Sequence, residues 1–338
     1  MDNKITKNRL SSFLSYEWIL MVVIILVSIF VWEIAFRIGG VKLTKGQQFY
    51  LIIDQNVSNS TDKDVIAHTS IDGAYSYDVL SLTAEPISND GYNLFDTRYS
   101  IGLCDAVISD VKGLGNDAQN QMNEVRALYL MDYYDAWSFD EAKKDAEEYL
   151  FKLLKDGYQD DKNNVYNYLK FDEYYDHAKI SNLFLERMKK DNRFRSQDSK
   201  AEGIKQEELR IKKLCKDLCE LDYLMKNHKD IFGSYTRYSQ SLRQRPAAYK
   251  SQYDLHKKQN LETYQKEQLY YYVNLEKLTN GKYNVSHFFV NSNNTAEDLV
   301  LLMFDFKKEQ PHLQFETLSF AMSLVRLCSN YLDNAFSA

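Results

Sequence analysis

The stretch Trp18–Ile38, WILMVVIILVSIFVWEIAFRI, constrains the fold more than any other segment of the chain. Residues Trp18–Trp32 carry no charge. A helix crosses a bilayer with about 20 apolar residues, and tryptophans are common at the two membrane interfaces, where Trp18 and Trp32 would lie. The sequence therefore predicts a transmembrane anchor over 18–38, preceded by a short tail over 1–17.

A cleaved signal peptide is the alternative for this segment. Its apolar region would be shorter, about 7–15 residues, and would be followed by a small-residue cleavage site. No convincing A-x-A site follows here, and there is no Cys for lipid attachment. Lys4, Lys7 and Arg9 precede the uncharged run, and Arg37, Lys42 and Lys45 follow it, so the positive-inside rule does not decide its orientation. We expect a single-pass plasma-membrane protein with the tail in the cytoplasm and the bulk of the chain outside.

Composition narrows the fold class and the possible partners. The 338 residues include only 12 Gly and 3 Pro, so few tight turns are expected and a large all-β sandwich is disfavoured. The length is sufficient for two lobes. The net charge of −6 argues against a basic nucleic-acid-binding surface, and we expect no nucleic-acid partner.

Local patterns predict a mixture of strands and helices. SFDE at Ser138–Glu141 is a capping box that opens a helix, with Gly157 as its stop. The other predicted elements are strands within Gln47–Asp54, Ala74–Ser88, Ala106–Ile108, Tyr270–Val273 and Glu297–Phe306, and a last helix from Phe315 to Tyr331.

An apolar stripe repeats every seven residues from Ile204 to Phe232. Such a stripe fits a coiled coil or a long helix packed on its own domain. Glu207 and His228 occupy two of the seam positions, and this favours the second interpretation.

Signals for catalysis are nearly absent. The chain has no P-loop, no G-x-S-x-G and no dinucleotide fingerprint. Asp172 and Asp176 lie beside His177, but acidic pairs on exposed helices are common, and we expect no metal and no cofactor. Cys215 and Cys219 lie one helical turn apart, and the four cysteines fit buried or half-buried thiols. The protein is therefore predicted not to be an enzyme.

The segment SIGLCDAVISD, residues 100–110, carries the main functional hint. Gly102 suits the left-handed position that ends a helix, and Ala106–Ile108 suits an interior parallel strand. Ser109 and Asp110 follow at the carboxyl end of that strand, where open α/β sheets bind ligands. The alternative is that Asp110 only caps the next turn.

This segment resembles part of the extracytoplasmic solute-binding proteins of ABC transporters, in which a helix ends at Gly and a strand begins at Asp. YYYVNLEKL, residues 270–278, and DLVLLMFDFKKEQPHLQFETLSFAMSLVRLC, residues 298–328, resemble later strand and helix segments of the same family.

The resemblance implies a helix-rich α/β fold with two lobes, similar to type II periplasmic-binding proteins, over 45–338. Its helix-rich middle would cover about 114–241. It implies a solute ligand, with a sugar favoured, a binding site that includes Ser109, Asp110, Glu85 and Tyr271, and permease subunits as partners. A different class remains open: an anchored helical scaffold that uses the Ile204–Phe232 stripe to bind another protein.

Overall fold

The computed structural model describes residues 18–39, 48–53, 57–59, 81–86, 97–98, 101–110, 136–158, 166–237, 267–305 and 315–333. The chain divides into two compact units, Met1–Thr44 and Lys45–Ala338. The first unit contains helix α1, Trp18–Gly39. The side chains described in α1 are those of residues 21–32, and all of them are exposed.

The predicted transmembrane anchor over 18–38 needs correction. Within the residues that the structure describes, no helix combines the length and the apolar character that crossing a bilayer requires. The single-pass topology and the plasma-membrane localisation that depended on this anchor are therefore wrong by this finding.

The second unit is built on a mixed six-stranded sheet with the order β3-β1-β4-β8-β6-β5. β1 (Gln48–Ile53) runs parallel to both β3 (Ser81–Pro86) and β4 (Ala106–Asp110). Antiparallel strands continue the sheet beyond β4: β8 (Leu299–Met303), β6 (Glu267–Asn274) and β5 (Phe232–Arg237). A separate antiparallel pair joins β2 (Val57–Asn59) to β7 (Phe289–Asn291).

This topology corrects the predicted two-lobed periplasmic-binding fold. Residues 270–278 were expected, from the resemblance, to form a later strand of that two-lobed fold. Instead, β6 pairs with β8, and β8 pairs with β4, so these strands belong to the same sheet as the first parallel strands. Lys45–Ala338 forms one compact unit rather than two. The antiparallel pairing of β8 with β4 is what joins the late strands to the early ones.

Asp105, just before β4, ties this strand to β1 and to the carboxyl end of β8. Its buried carboxylate accepts a hydrogen bond from the Tyr50 amide at 2.8 Å, and its own amide donates to the Tyr50 carbonyl at 2.9 Å. The Asp105 carbonyl accepts a bond from the Phe304 amide at 2.9 Å. Gly102 just before it has φ +71°, as its predicted helix-ending role requires. The Asp at the start of this strand is therefore a structural tie between β1, β4 and β8.

Six α-helices are found in the described parts of the chain. Besides α1, they are α2 (Phe139–Phe151), α3 (Phe171–Tyr174), α4 (His177–Arg187), α5 (Gln197–Asn227) and α6 (Glu316–Cys328). α2 and α6 pack on α5, and residues of one sheet face, among them Leu51, Ile108 and Leu301, join the same hydrophobic core. Val107, Val300 and Leu302 on the other face are also buried, so the central strands are covered on both sides.

The predicted capping box is confirmed. The Ser138 hydroxyl accepts a hydrogen bond from the Glu141 amide at 3.1 Å, and the Glu141 carboxylate accepts one from the Ser138 amide at 3.2 Å. α2 ends at Phe151, earlier than predicted. Gly157 has φ +97°, but it lies in the turn that follows rather than at the helix end.

The apolar stripe of α5 is used inside the domain. Its central members Ile211, Leu214, Leu218 and Leu221 are buried within the chain's own core. The long helix packed on its own domain is thus the correct interpretation. The central part of the stripe is therefore already occupied and is not available to the partner protein that the scaffold alternative requires.

Gly203 allows α4 to approach α5 closely. A Cβ atom at this position would lie 2.3 Å from Cζ of Phe184 and 2.8 Å from Cε1 of Phe194. Replacing a helical glycine by alanine ordinarily stabilises a helix by about 1 kcal/mol. Here we expect Gly203→Ala to destabilise the protein by about 1–3 kcal/mol, because two buried or half-buried rings must move.

Urea unfolding of the full chain measures this effect. Glu202→Ala is the control, because it introduces the same residue at the neighbouring, exposed position of α5. A gain in stability for Gly203→Ala would contradict the close approach of the two rings.

Candidate functional site

The carboxyl ends of the parallel strands meet at one edge of the main sheet. Ile53 is level with both Pro86 and Ile108, and β4 extends two residues further to Asp110. The chain passes from β1 to β3 on one side and then to β4 on the other side of β1. The junction between β1 and β4 is therefore a topological switch point, the place where open α/β sheets most often bind ligands.

Two of the four predicted site residues lie at this edge. Ser109 is fully buried, and Asp110 is the last residue of β4, paired with Leu299. Glu85 lies in β3 at the level of Ile52, which in turn is level with Val107. Glu85 is therefore level with Val107, three residues before the end of β4. For Glu85 and Asp110 the structure describes the backbone only.

The fourth predicted residue, Tyr271, lies elsewhere. Its neighbour Tyr272 pairs with Leu302, whereas Asp110 pairs with Leu299. Those three residues along β8 correspond to about 10 Å, so Tyr271 is near the opposite end of the strands. Its side chain is fully buried, at a β-bulge where β5 and β6 pair out of step. The structure therefore does not bring Tyr271 together with Asp110.

A polar loop borders the same edge. It connects the end of β7 to the start of β8 and reads NSNNTAED, residues 291–298. Because β8 begins at Leu299 opposite Asp110, this loop reaches the sheet at the carboxyl end of β4. β2, which pairs with β7, also contacts β4. Residues 292–295 of the loop are exposed and carry hydroxyl and amide groups.

Asn291 gives this loop a fixed shape. Its buried side-chain oxygen accepts hydrogen bonds from the Asn293 amide at 2.9 Å and from the Thr295 amide at 3.2 Å. Its side-chain nitrogen donates to the Glu297 carbonyl at 3.0 Å. Asn294 and Asp298 adopt positive φ angles of 59° and 60°. These bonds fix the loop backbone from which the exposed polar side chains project.

The sequence interpretation missed this loop. The cluster of Asn, Ser and Thr between two apolar strands is a loop signal, and an Asn that leads such a cluster often bonds to the backbone two residues later. What local patterns do not show is that β8 pairs with β4. Only that pairing places the loop beside Asp110.

The acidic cluster around His177 has structural roles. Asp176 caps α4 by accepting from the Ala178 amide at 2.8 Å. His177 Nδ1 lies 2.8 Å from Glu208 Oε1, and its Nε2 lies 3.6 Å from Asp172 Oδ1. Among the residues that the structure describes, no group of three or more His, Cys, Asp or Glu side chains is arranged to hold a metal ion.

The four cysteines are free thiols, three of them buried. Burial raises the pKa of Cys219 to about 11 and that of Cys328 to about 12. It also raises the pKa values of Cys104 and Cys215. A thiol must lose its proton to act as a nucleophile or a strong metal ligand, so these environments oppose both roles.

Comparison with known proteins gives no relative from which a function could be transferred: no family model, no curated protein and no solved structure matches the chain.

Proposed function

We propose that the domain Lys45–Ala338 binds a small, hydroxyl-rich solute, such as a sugar, at the carboxyl edge of β1 and β4. The observation that carries this proposal is the switch point between these two strands, with Asp110 at its end and the preformed loop 291–298 beside it.

The chemistry of the edge favours a neutral polyol over an anion. Carboxylates accept hydrogen bonds from hydroxyl groups, and side-chain amides both donate and accept them. Asp110, Glu297 and Asp298 would repel a negatively charged ligand, whereas Asn293 and Asn294 supply uncharged groups of both kinds. A ligand site needs a few such groups in fixed positions, and the hydrogen bonds of Asn291 supply the fixation for the loop. A link to a transporter permease stays a prediction from the family resemblance alone.

The test is a thermal-unfolding screen of the full chain against a panel of neutral sugars and polyols. A ligand that binds only the folded state raises the melting temperature by mass action. We expect at least one sugar to do so, and the rise to be strongly reduced in Asp110→Ala and Asn293→Ala.

Asp156→Ala is the matched control, because it removes a carboxylate that is 91% exposed and distant in sequence from the edge. This variant should keep the full ligand-induced rise. The proposal fails if no sugar shifts the melting temperature, or if the two edge variants respond to the ligand as the unmodified chain does.

A further inference from the structure

A concave site lies far along the chain from the sheet edge. It is a surface cavity of about 790 Å³ formed by α4, the short turns that follow it and the first turn of α5. Its volume lies within the range of small-molecule sites, about 300–1,000 Å³. The residues that matter for its chemistry are Lys189, Arg195, Lys200, Glu186, Asp191 and Phe194.

The cavity has a fixed apolar wall. Phe194 packs edge-on against buried Phe184, with ring centroids 5.2 Å apart, and both rings fill the space left by Gly203. Met188 is buried in the same wall, and Leu185 is 38% exposed at its border. This wall can pack against the organic part of a ligand.

The charges around the cavity are unbalanced. Asp191 is already committed to Arg193, with its Oδ2 2.7 Å from Nη2, and this contact lowers the pKa of Asp191. Within the described part of the chain, the ammonium groups of Lys189 and Lys200 have no hydrogen bond or ion pair. Three cations, counting Arg195, therefore face one uncommitted carboxylate, that of Glu186.

We infer that this cavity binds a small organic phosphate. The phosphate dianion would lie among Lys189, Arg195 and Lys200, since a guanidinium binds phosphate through two parallel hydrogen bonds and an ammonium binds it as a point charge. The organic part would lie against Phe194 and Leu185. This site is separate from the sheet edge, and its test does not depend on the sugar-binding proposal.

Calorimetric titration of the full chain tests the inference with three probes that separate the charged and the apolar part of the ligand. They are phenyl phosphate, inorganic phosphate and the neutral benzyl alcohol. Phenyl phosphate should bind most tightly, because it alone uses both the cations and the apolar wall. Its affinity should fall as salt is added, since the contacts are exposed to solvent. Binding of benzyl alcohol with equal affinity would overturn the inference.

Two variants separate the two parts of the site. The triple variant Lys189→Gln/Arg195→Gln/Lys200→Gln should weaken phenyl phosphate binding by about tenfold or more, since it removes three charge contacts. Leu185→Asn should leave binding of inorganic phosphate unchanged and reduce the preference for phenyl phosphate.

The control is Lys144→Gln/Lys152→Gln/Lys229→Gln, which changes the net charge by the same three units at exposed positions outside the cavity. It should bind phenyl phosphate like the unmodified chain. An equal loss of affinity in the control and the cavity variant would show a general charge effect and would contradict a site.

Discussion

Replacing Arg326 by methionine is expected to lower the free energy of unfolding by about 2–4 kcal/mol, and the variant should show this in urea at neutral pH. Arg326 lies in α6 and reaches two acidic side chains of α5. Its Nη2 is 2.6 Å from Oδ1 of Asp217, and its Nε is 3.0 Å from Oε2 of Glu220. Asp217 is fully buried and Glu220 is 3% exposed. Without the guanidinium, both carboxylates lose their main counter-charge in a poorly solvated place.

The remaining partners set the size of the loss. Lys213 Nζ lies 3.0 Å from Asp217, and the Ser319 hydroxyl donates to the same carboxylate at 2.6 Å. These contacts survive the substitution. Breaking a buried ion pair usually destabilises a protein by about 3–5 kcal/mol, and we expect the loss of unfolding free energy here to lie near the lower end of that range.

Lys216→Met provides a matched control. Lys216 pairs with the same Glu220, but at 3.7 Å and with a side chain that is 43% exposed. Its loss should cost less than about 1 kcal/mol, as is usual for exposed ion pairs. Similar losses in the two variants would mean that Arg326 contributes no more than a surface charge.

Local patterns were sufficient for elements that depend on neighbours in sequence. The capping box at Ser138 and the apolar run of β8 involve residues a few positions apart, and both are present as predicted. The arrangement of the sheet was not predictable in this way. The pairing of β8 with β4 joins residues that are nearly 200 positions apart in the sequence. Local hydrophobic periodicity carries no information about which distant strands pair.

The same limit applies to the site. The position of Ser109 and Asp110 at a strand end follows from one short segment, and both residues are at the end of β4. Tyr271 was assigned to the site through the family resemblance. The pairing of β6 with β8 instead places it near the other end of the strands. Loop 291–298 was missed because it lies close to Asp110 only through the tertiary pairing of β8 with β4.

Glu207 disturbs the local apolar pattern of α5 but makes tertiary ion pairs that the fold uses. It interrupts the apolar stripe of α5 and is only 1% exposed. Arg187 from α4 donates to it through Nη2 at 3.0 Å, and Arg210 donates through Nη2 at 2.8 Å. Arg210 also donates to the Tyr149 hydroxyl at 3.0 Å, which links α2 to the same network. The carboxylate thus links α4 and α5 directly and α2 through Arg210. A leucine at this position could not make these contacts.

The pKa of Glu207 reflects these contacts. Burial alone would raise it, but the charges and hydrogen bonds of Arg210 and Arg187 outweigh burial and hold the pKa far below its ordinary value. In the unfolded chain the pKa returns to about 4.3. Stability from this group is therefore fully present above about pH 4.3 and is lost as the pH falls toward the folded-state pKa.

Glu207→Gln is expected to destabilise the protein by about 3–5 kcal/mol at pH 7, because buried Arg210 and half-buried Arg187 lose their shared counter-charge. Urea unfolding between pH 7 and pH 3 should show the gap between the variant and the unmodified chain narrowing below about pH 4.3, where only the unmodified chain loses the contribution of this carboxylate. Glu208→Gln, which removes the next carboxylate of α5, 29% exposed and paired with His177, should cost less than about 1 kcal/mol. A gap for Glu207→Gln that stays constant down to pH 3 would mean that hydrogen-bond geometry, and not charge, makes the glutamate necessary at this position.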